Sequence, residues 1–308
     1  MAEKGAQKGA AGPRRCGFVA LVGAPNVGKS TLLNALVGAK VSIVTPKVQT
    51  TRSRVTAIAV EGPAQLVFVD TPGIFEPRRR LERAMVAAAW VGAHDADTVV
   101  LLVDAKQGLE KDGRRIIAGL KRARAKAVLA LNKIDLIART RLLGLAAELD
   151  REGIFARIFM ISALSGDGVG DLKDHLAAAL PEGPWLYPED QLADMPERLL
   201  AAELTREKLF LALHQELPYA TTVETESWTE LKDGSLRIEQ VIYVRRETQK
   251  GIVLGKAGRR VKAIGQASRE ELQEMLGRRV HLFIFVKVRE KWPDDPERYR
   301  EMGLEFPR

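Results

Sequence analysis

Over residues 1–180 short apolar runs alternate with stretches whose apolar residues recur at helical spacing. Runs rich in β-branched residues predict strands at 17–23, 55–60, 65–70, 98–104, 127–132 and 156–162. Amphipathic patterns between several of them predict helices, clearest at 30–37, 81–91 and 171–180. Strand–helix alternation of this kind predicts an α/β fold, a mostly parallel sheet with helices on both faces. Ligands of such sheets sit at the C-terminal ends of the strands, so candidate chemistry is sought there.

The rhythm breaks at Pro181-Glu-Gly-Pro-Trp-Leu-Tyr-Pro188, where prolines and a glycine suit a short, stiff linker. A long helical pattern over 196–217 opens the second half. Strands at 220–226 and 236–244, a glycine-containing loop, a helix at 259–276 and a strand at 280–288 follow, an α+β pattern. The expected division is a disordered tail at 1–15, a first domain at 16–180, a linker at 181–191 and a second domain at 192–308.

Composition excludes some classes. No apolar run approaches the roughly 20 residues that span a bilayer. The polar start of the chain has no apolar stretch after its basic residues, so it does not read as a secretory signal. Cys16 is the single cysteine, which rules out an internal disulfide; a cytoplasmic location is the default. Net charge is +8, hinting at a polyanionic partner. From Pro184 to Arg308 there are 21 Lys and Arg against 22 Asp and Glu, yet 245–262 holds seven basic residues and one acidic. The second half is therefore nearly neutral overall, with a local charge of +6 concentrated around its glycine loop.

Gly23-Ala-Pro-Asn26-Val27-Gly28-Lys29-Ser30 lies between a predicted strand and a predicted helix, the placement a phosphate loop requires. Its glycines let backbone N–H groups surround a β-phosphate, and the helix start at Ser30 and Thr31 adds partial positive charge. Lys29 is expected to bridge the β- and γ-phosphates and Ser30 to give Mg²⁺ a hydroxyl. Asp70-Thr-Pro-Gly73 ends a strand: the carboxylate suits Mg²⁺, and the Gly73 N–H can sense a γ-phosphate. Asn132-Lys133-Ile-Asp135 ends another, where a buried carboxylate accepts from guanine N1–H and N2–H₂, groups adenine lacks. Ser162-Ala163-Leu164 ends the last, and the Ala163 N–H is expected at guanine O6. Any one of these is common surface sequence; four in order at strand ends select GTP and GDP over other nucleotides.

With these motifs the first half resembles the translation-factor-related branch of small GTPases. With the second half included, nearly the whole chain resembles the Era family of bacterial ribosome-assembly GTPases. The family's paired threonine and arginine are matched by Gln49-Thr50-Thr51-Arg52. The resemblance implies that Thr51, rather than Thr50, is the switch threonine that reaches Mg²⁺ when a γ-phosphate is present. Ile74 follows Gly73 where Ras-type enzymes carry a water-orienting glutamine, so unaided hydrolysis is expected to be slow. Asn26 resembles the asparagine that helps bind K⁺ in potassium-activated relatives.

Gly255-Lys256-Ala257-Gly258 follows the apolar run Ile252-Val-Leu254 and precedes a helix. This placement resembles the Gly-x-x-Gly loop of a KH domain, which clamps a single-stranded backbone over about four nucleotides. Lys256, Arg259, Arg260 and Lys262 supply counter-charge, and Ile252, Val253, Ile264 and the strand 280–288 are expected to wall the groove. The family resemblance implies type II KH topology, the three-prime end of small-subunit rRNA as ligand, and the small ribosomal subunit as partner of a monomer. Two alternatives stand beside it: a constitutive RNA-binding module, and a GTPase whose second half docks on protein or membrane. The amphipathic stretch 199–213 offers a face for peripheral membrane association, but its few basic residues are mixed with glutamates, which favours packing on the second sheet. His94, His175, His214 and His281 have no metal-ligand spacing, and Trp185, Trp228 and Trp292 read as packing or linker anchors.

Overall fold

The computed structural model describes residues 12–48, 50–52, 54–214 and 216–307. Residues 1–11 of the expected tail and Gln49 of the switch motif lie outside the described residues. The first domain runs β1 (Arg15–Gly23), α1 (Lys29–Val37), β2 (Val55–Glu61), β3 (Ala64–Asp70), α2 (Arg80–His94), β4 (Thr98–Asp104), α3 (Lys111–Arg122), β5 (Ala127–Asn132), α4 (Arg139–Asp150), β6 (Phe155–Met160) and α5 (Val169–Ala179). Its sheet has the order β2-β3-β1-β4-β5-β6, parallel except for β2. Alternate residues of β1 face opposite layers, as the pleat dictates. Val19 and Leu21 pack with α1 and α5 through Leu32, Leu36, Leu172 and Leu176. Ala20 and Val22 pack with α2, α3 and α4 through Ala89, Ile117 and Leu149.

Helices α3 and α4 were not among the clear sequence patterns. Each carries interior glycine, which weakens the local signal. A Cβ on Gly119 of α3 would lie 2.3 Å from the Trp90 ring, so glycine there admits the indole of α2. Strand β6 stops at Met160 rather than at 162, because Ser162 folds back: its N–H donates to Asp167 O and its carbonyl accepts from Gly166.

Two other boundaries differ from expectation. The tail expected through Arg15 ends earlier: Arg15 opens β1, and Arg14 O accepts from the Gly183 N–H. The linker is also no free tether. Leu186 and Tyr187 N–H donate to Gln65 Oε1, Trp185 Nε1 donates to Pro63 O, and Ile58 N–H donates to Leu192 O along the β2 edge.

The second domain runs α6 (Glu197–Ala212), β7 (Thr222–Glu230), β8 (Leu236–Val244), α7 (Glu247–Leu254), α8 (Arg259–Leu276), β9 (Val280–Val288) and α9 (Pro296–Glu301). Its sheet has the order β7-β8-β9, with β8 and β9 parallel. Parallel neighbours need a crossover, and α7 with α8 provides it. Helix α6 is shorter than the pattern 196–217 suggested: Leu213 is extended, and Pro218–Ala220 form a 3-10 turn that delays β7 to Thr222. Helix α7 differs from the sequence pattern, in which Ile252-Val-Leu254 reads as a bare apolar run. Val253 and Ile264 are core residues rather than groove wall, while Ile252 is exposed. The apolar face of α6 is largely buried, Ala202, Leu209 and Leu213 packing with Val223 and Ile242, and Leu204 with Ile43 of the first domain.

The domains share two apolar clusters. Ile43, between α1 and β2, is buried with Leu204, Ile238 and Leu272 of the second domain. Leu81 and Met85 of α2 are buried with Val241, Tyr243 and Trp292.

Candidate functional site

The phosphate loop is shaped by two left-handed residues, Asn26 (φ 63°) and Gly28 (φ 99°). Gly28 has no substitute: a Cβ would lie 2.3 Å from Asn132 Nδ2. Lys29 is 7% exposed and bends back, its Nζ donating to Gly23 O (3.2 Å) and Ala24 O (3.0 Å). Burial pushes its ammonium down to about 8, with Asp70 pulling the other way. Asn26, Gly28 and Lys29, with Ser30, Thr31, Thr51 and Gly73, line a cavity of about 500 Å³. Gly73 abuts Pro25 at a distance only glycine tolerates well, a Cβ there falling 3.0 Å from its backbone.

Asp70 ends β3 fully buried, and three hydroxyls converge on its Oδ2: Ser30 (2.9 Å), Ser42 (3.2 Å) and Thr51 (3.2 Å). Ser30 Oγ and Thr51 Oγ1 are 3.0 Å apart. Asp70 Oδ1 has no partner among the described residues. Burial pushes the Asp70 carboxyl up, against the pull of Lys29 and the hydroxyls. Compact hard oxygen donors around an unpartnered buried oxygen suit Mg²⁺ completed by phosphates, not a soft metal. Thr50 points elsewhere, its Oγ1 within 2.7 Å of both Thr45 Oγ1 and Lys47 O. Asn26 Nδ2 donates to Pro46 O (3.1 Å). Ile74 is fully buried in the core, so no side chain at that position reaches water.

The base side is tied together by Asn132. Its Nδ2 donates to Val27 O (2.8 Å), and its Oδ1 accepts from the Ala163 N–H (2.9 Å). The Ala163 N–H, expected at guanine O6, is thus bonded to Asn132, because the amide anchored on Val27 through its nitrogen turns its oxygen, the group's acceptor, towards Ala163. Lys133 (φ 67°) donates to Asn26 O (2.8 Å) and pairs with Asp104 (2.7 Å). Asp135, expected buried, is exposed in the turn after β5. Ser162 is buried with its Oγ accepting from Ser165, and Leu164 is 86% exposed.

In the second domain the loop after α7 has Gly255 (φ 71°), Ala257 (φ 52°) and Gly258 (φ 72°) at positive φ. A Cβ on Gly255 would meet Arg260 Cβ at 2.8 Å; one on Gly258 would meet nothing within 4 Å. Helix α8 starts directly after Gly258 with no side-chain cap and no acid in its first turn, leaving its N–H groups to an anion. Lys256, Ala257, Arg259 and Lys262 are exposed beside it, and Arg260 donates to Ile252 O.

A family model described as a 50S ribosome-binding GTPase matches residues 18–133, and one described as a KH domain matches 216–293. Relatives named GTPase Era from Afipia carboxidovorans and Rhizobium meliloti are each 62% identical over 296 residues. These alignments cover 96% of this chain and 96% and 95% of the relatives. The chain belongs to the Era family of GTPases. Among solved structures, an Aquifex aeolicus Era variant bound to GDP.AlF4- is 39% identical with a TM-score of 0.89. An Era complex with MgGDPNP and nucleotides 1506–1542 of 16S ribosomal RNA is 39% identical with a TM-score of 0.90. Both alignments cover 94% of this chain and 99% of the other.

As an Era-family protein the chain is a GTP-hydrolysing enzyme, a P-loop GTPase domain followed by a KH domain. No helix among the described residues is long and apolar enough to cross a membrane. Sequence reasoning missed Ser42, which joins the Asp70 cluster, and Asp104, which holds Lys133. Asp104 carried a faint signal as an acid at a strand's C-terminal end; Ser42 carried none. Also missed was the hold of the second domain on 40–52: Lys40 pairs with Glu207 (2.6 Å), the Val44 N–H donates to Glu207 (2.8 Å), and Arg206 donates to Thr50 O.

Proposed function

We propose that this chain is a GTP-driven switch that clamps the three-prime end of small-subunit rRNA during assembly of the small ribosomal subunit. The carrying observation is the pair of shared cores: Ile43, from the segment that lines the nucleotide cavity, and Leu81 and Met85 of α2, the helix that follows the Asp70–Gly73 segment, are buried against the KH domain. A γ-phosphate that orders either segment then acts on the KH domain directly. The docked linker 181–191 transmits little.

In this reading Lys29 leaves the carbonyls of Gly23 and Ala24 for the β- and γ-phosphates. The loop of Gly23, Asn26, Val27 and Gly28 wraps the β-phosphate at the helix start formed by Ser30 and Thr31. Ser30, Thr51 and Asp70 would hold Mg²⁺, which when bound would neutralise phosphate charge that develops in the transition state. Thr51 and the Gly73 N–H sense the γ-phosphate. Asn132 and Lys133 brace the loop beneath the base, with Ser162, Ala163 and Leu164 beside it, and Asp135 reads guanine. With Ile74 in the core, water is oriented by backbone, a partner or K⁺; Asn26 is the residue that would hold K⁺. Gly255, Ala257 and Gly258 let an RNA backbone approach the start of α8. Lys256, Arg259, Arg260 and Lys262 neutralise it, and Ile252 offers apolar contact. The protein acts as a cytoplasmic monomer.

The Era relative with 16S RNA supports the small subunit, whereas one matching family description names the large one. The test is binding of a single-stranded oligonucleotide from the rRNA three-prime end by the GTP-analogue, GDP and nucleotide-free forms, with cosedimentation on isolated small and large subunits. Tighter binding in one nucleotide state and sedimentation with small subunits is expected. Equal binding in all states, or sedimentation with large subunits alone, refutes the proposal.

A further inference from the structure

Arg52 has no part in the nucleotide chemistry above, yet it is 2% exposed. It directly follows Thr51, whose hydroxyl sits in the Asp70 cluster. Its guanidinium crosses into the KH domain, where Nη1 donates to Thr221 O (2.7 Å) and Nη2 to Pro218 O (3.3 Å). These carbonyls belong to the first residue of the 3-10 turn Pro218–Ala220 and to the residue after it, and Ala220 O of the same turn accepts from Trp292 Nε1 (3.1 Å). The guanidinium carbon lies 5.4 Å from the Phe210 ring centre and 5.9 Å from that of Trp292.

Stability alone does not explain a charge in this place. The Arg52 guanidinium gives up its hydration on burial, neighbouring Arg206 adds repulsion, and Arg52 Nε has no partner among the described residues. An apolar side chain would fill the slot without that desolvation cost. What arginine adds is reach and two fixed hydrogen bonds from a residue adjacent to Thr51. Tyr219 and Ala220 of the turn it grips also line a cavity of about 680 Å³, together with Arg246, Ile252 and Arg260.

We propose that Arg52 is a positioning residue linking the two sites: seated on the Pro218–Ala220 turn, it holds Thr51 at Asp70 and sets the cavity wall that adjoins the RNA loop. The inference rests on the reading of Thr51 as the γ-phosphate-sensing threonine. Because the two residues are neighbours, release of Thr51 after hydrolysis draws the guanidinium from the turn, and docking of the guanidinium preorders Thr51.

The test uses Arg52→Ala and Arg52→Lys in the full chain. For Arg52→Ala we expect kcat for GTP to fall about tenfold or more while GDP affinity stays within about twofold, with Arg52→Lys intermediate. The ratio of RNA affinities between GTP-analogue and GDP forms should collapse towards one in Arg52→Ala. A merely structural role would lower the melting midpoint and weaken GDP and GTP in parallel, leaving kcat and that ratio unchanged; this overturns the proposal. Should Arg52→Ala not fold, hydrogen exchange over 216–223 of the unaltered protein decides. Slower exchange with Mg²⁺ and GTP analogue than with GDP supports the link, and identical exchange overturns it. Failure of the broader reading is separately visible, as absence of nucleotide-dependent RNA binding in the unaltered protein, and leaves the kcat and exchange arms decisive for Arg52.

Discussion

The loops 23–30 and 255–258 both set glycine at positive φ ahead of a helix whose first turn carries no acid. The first is packed closely against its neighbours: Gly28 faces Asn132, Gly73 lies on Pro25, and Lys29 is nearly buried. The second is open, with nothing near Gly258 and with Lys256 and Ala257 in solvent. A closed loop suits one compact ligand whose every oxygen is met. An open loop suits a polymer that enters and leaves at its ends, and it relies on charge more than on enclosure.

Single-atom changes at the two loops break the comparison most sharply. Gly28→Ala must push Asn132 off Val27 and Ala163, at a φ that disfavours a side chain. Nucleotide affinity should fall about a hundredfold or more by titration calorimetry, as expected for lost buried hydrogen bonds plus strain. Gly258→Ala meets only the left-handed backbone penalty of roughly 1–2 kcal/mol, so RNA affinity should fall about tenfold with GTP binding untouched. Similar losses at both positions would mean that the second loop is enclosed after all.

Charge reversal sharpens the contrast from the other side. Arg259→Glu with Arg260→Glu should remove RNA binding measured by anisotropy and leave RNA-free GTP turnover intact. Replacement by alanine should lower the salt slope of RNA binding by about one per lost phosphate contact. An unchanged slope would place the RNA elsewhere on the domain.

The smallest effect is electrostatic. Unfolded, Lys29 keeps its proton up to about 10.5; folded without nucleotide it loses it near 8. Between those values the folded form binds fewer protons, so this residue makes stability rise with pH across that window. Lys29→Met should lack the rise in denaturant melts of nucleotide-free protein. Its persistence in the variant would assign the slope to another group.

How legible all this was in the chain depends on range. Strands β4, β5, β8 and β9 and helix α8 match their expected bounds, because dense apolar runs or a clean helical period mark them without help from neighbours. Helices α3 and α7 carry glycine and few apolar residues, and they are held by what they cover. The phosphate loop, Asp70 and Asn132 are visible because backbone curvature and strand ends are local properties. By contrast, Ser42 became visible only when the segment before β2 folded over Asp70.

Local pattern therefore sufficed for the two domain types, for guanine-nucleotide chemistry and for a basic glycine loop, since each depends on residues within one turn or one strand of each other. Only folding brought Ser42 to Asp70, committed the Ala163 N–H to Asn132, and pinned the supposed linker to β3. Folding alone also joined Ile43, Arg52 and Leu81 to the KH domain. Those contacts link residues far apart in the chain, so no spacing or period encodes them; they follow from which surfaces meet when both cores close.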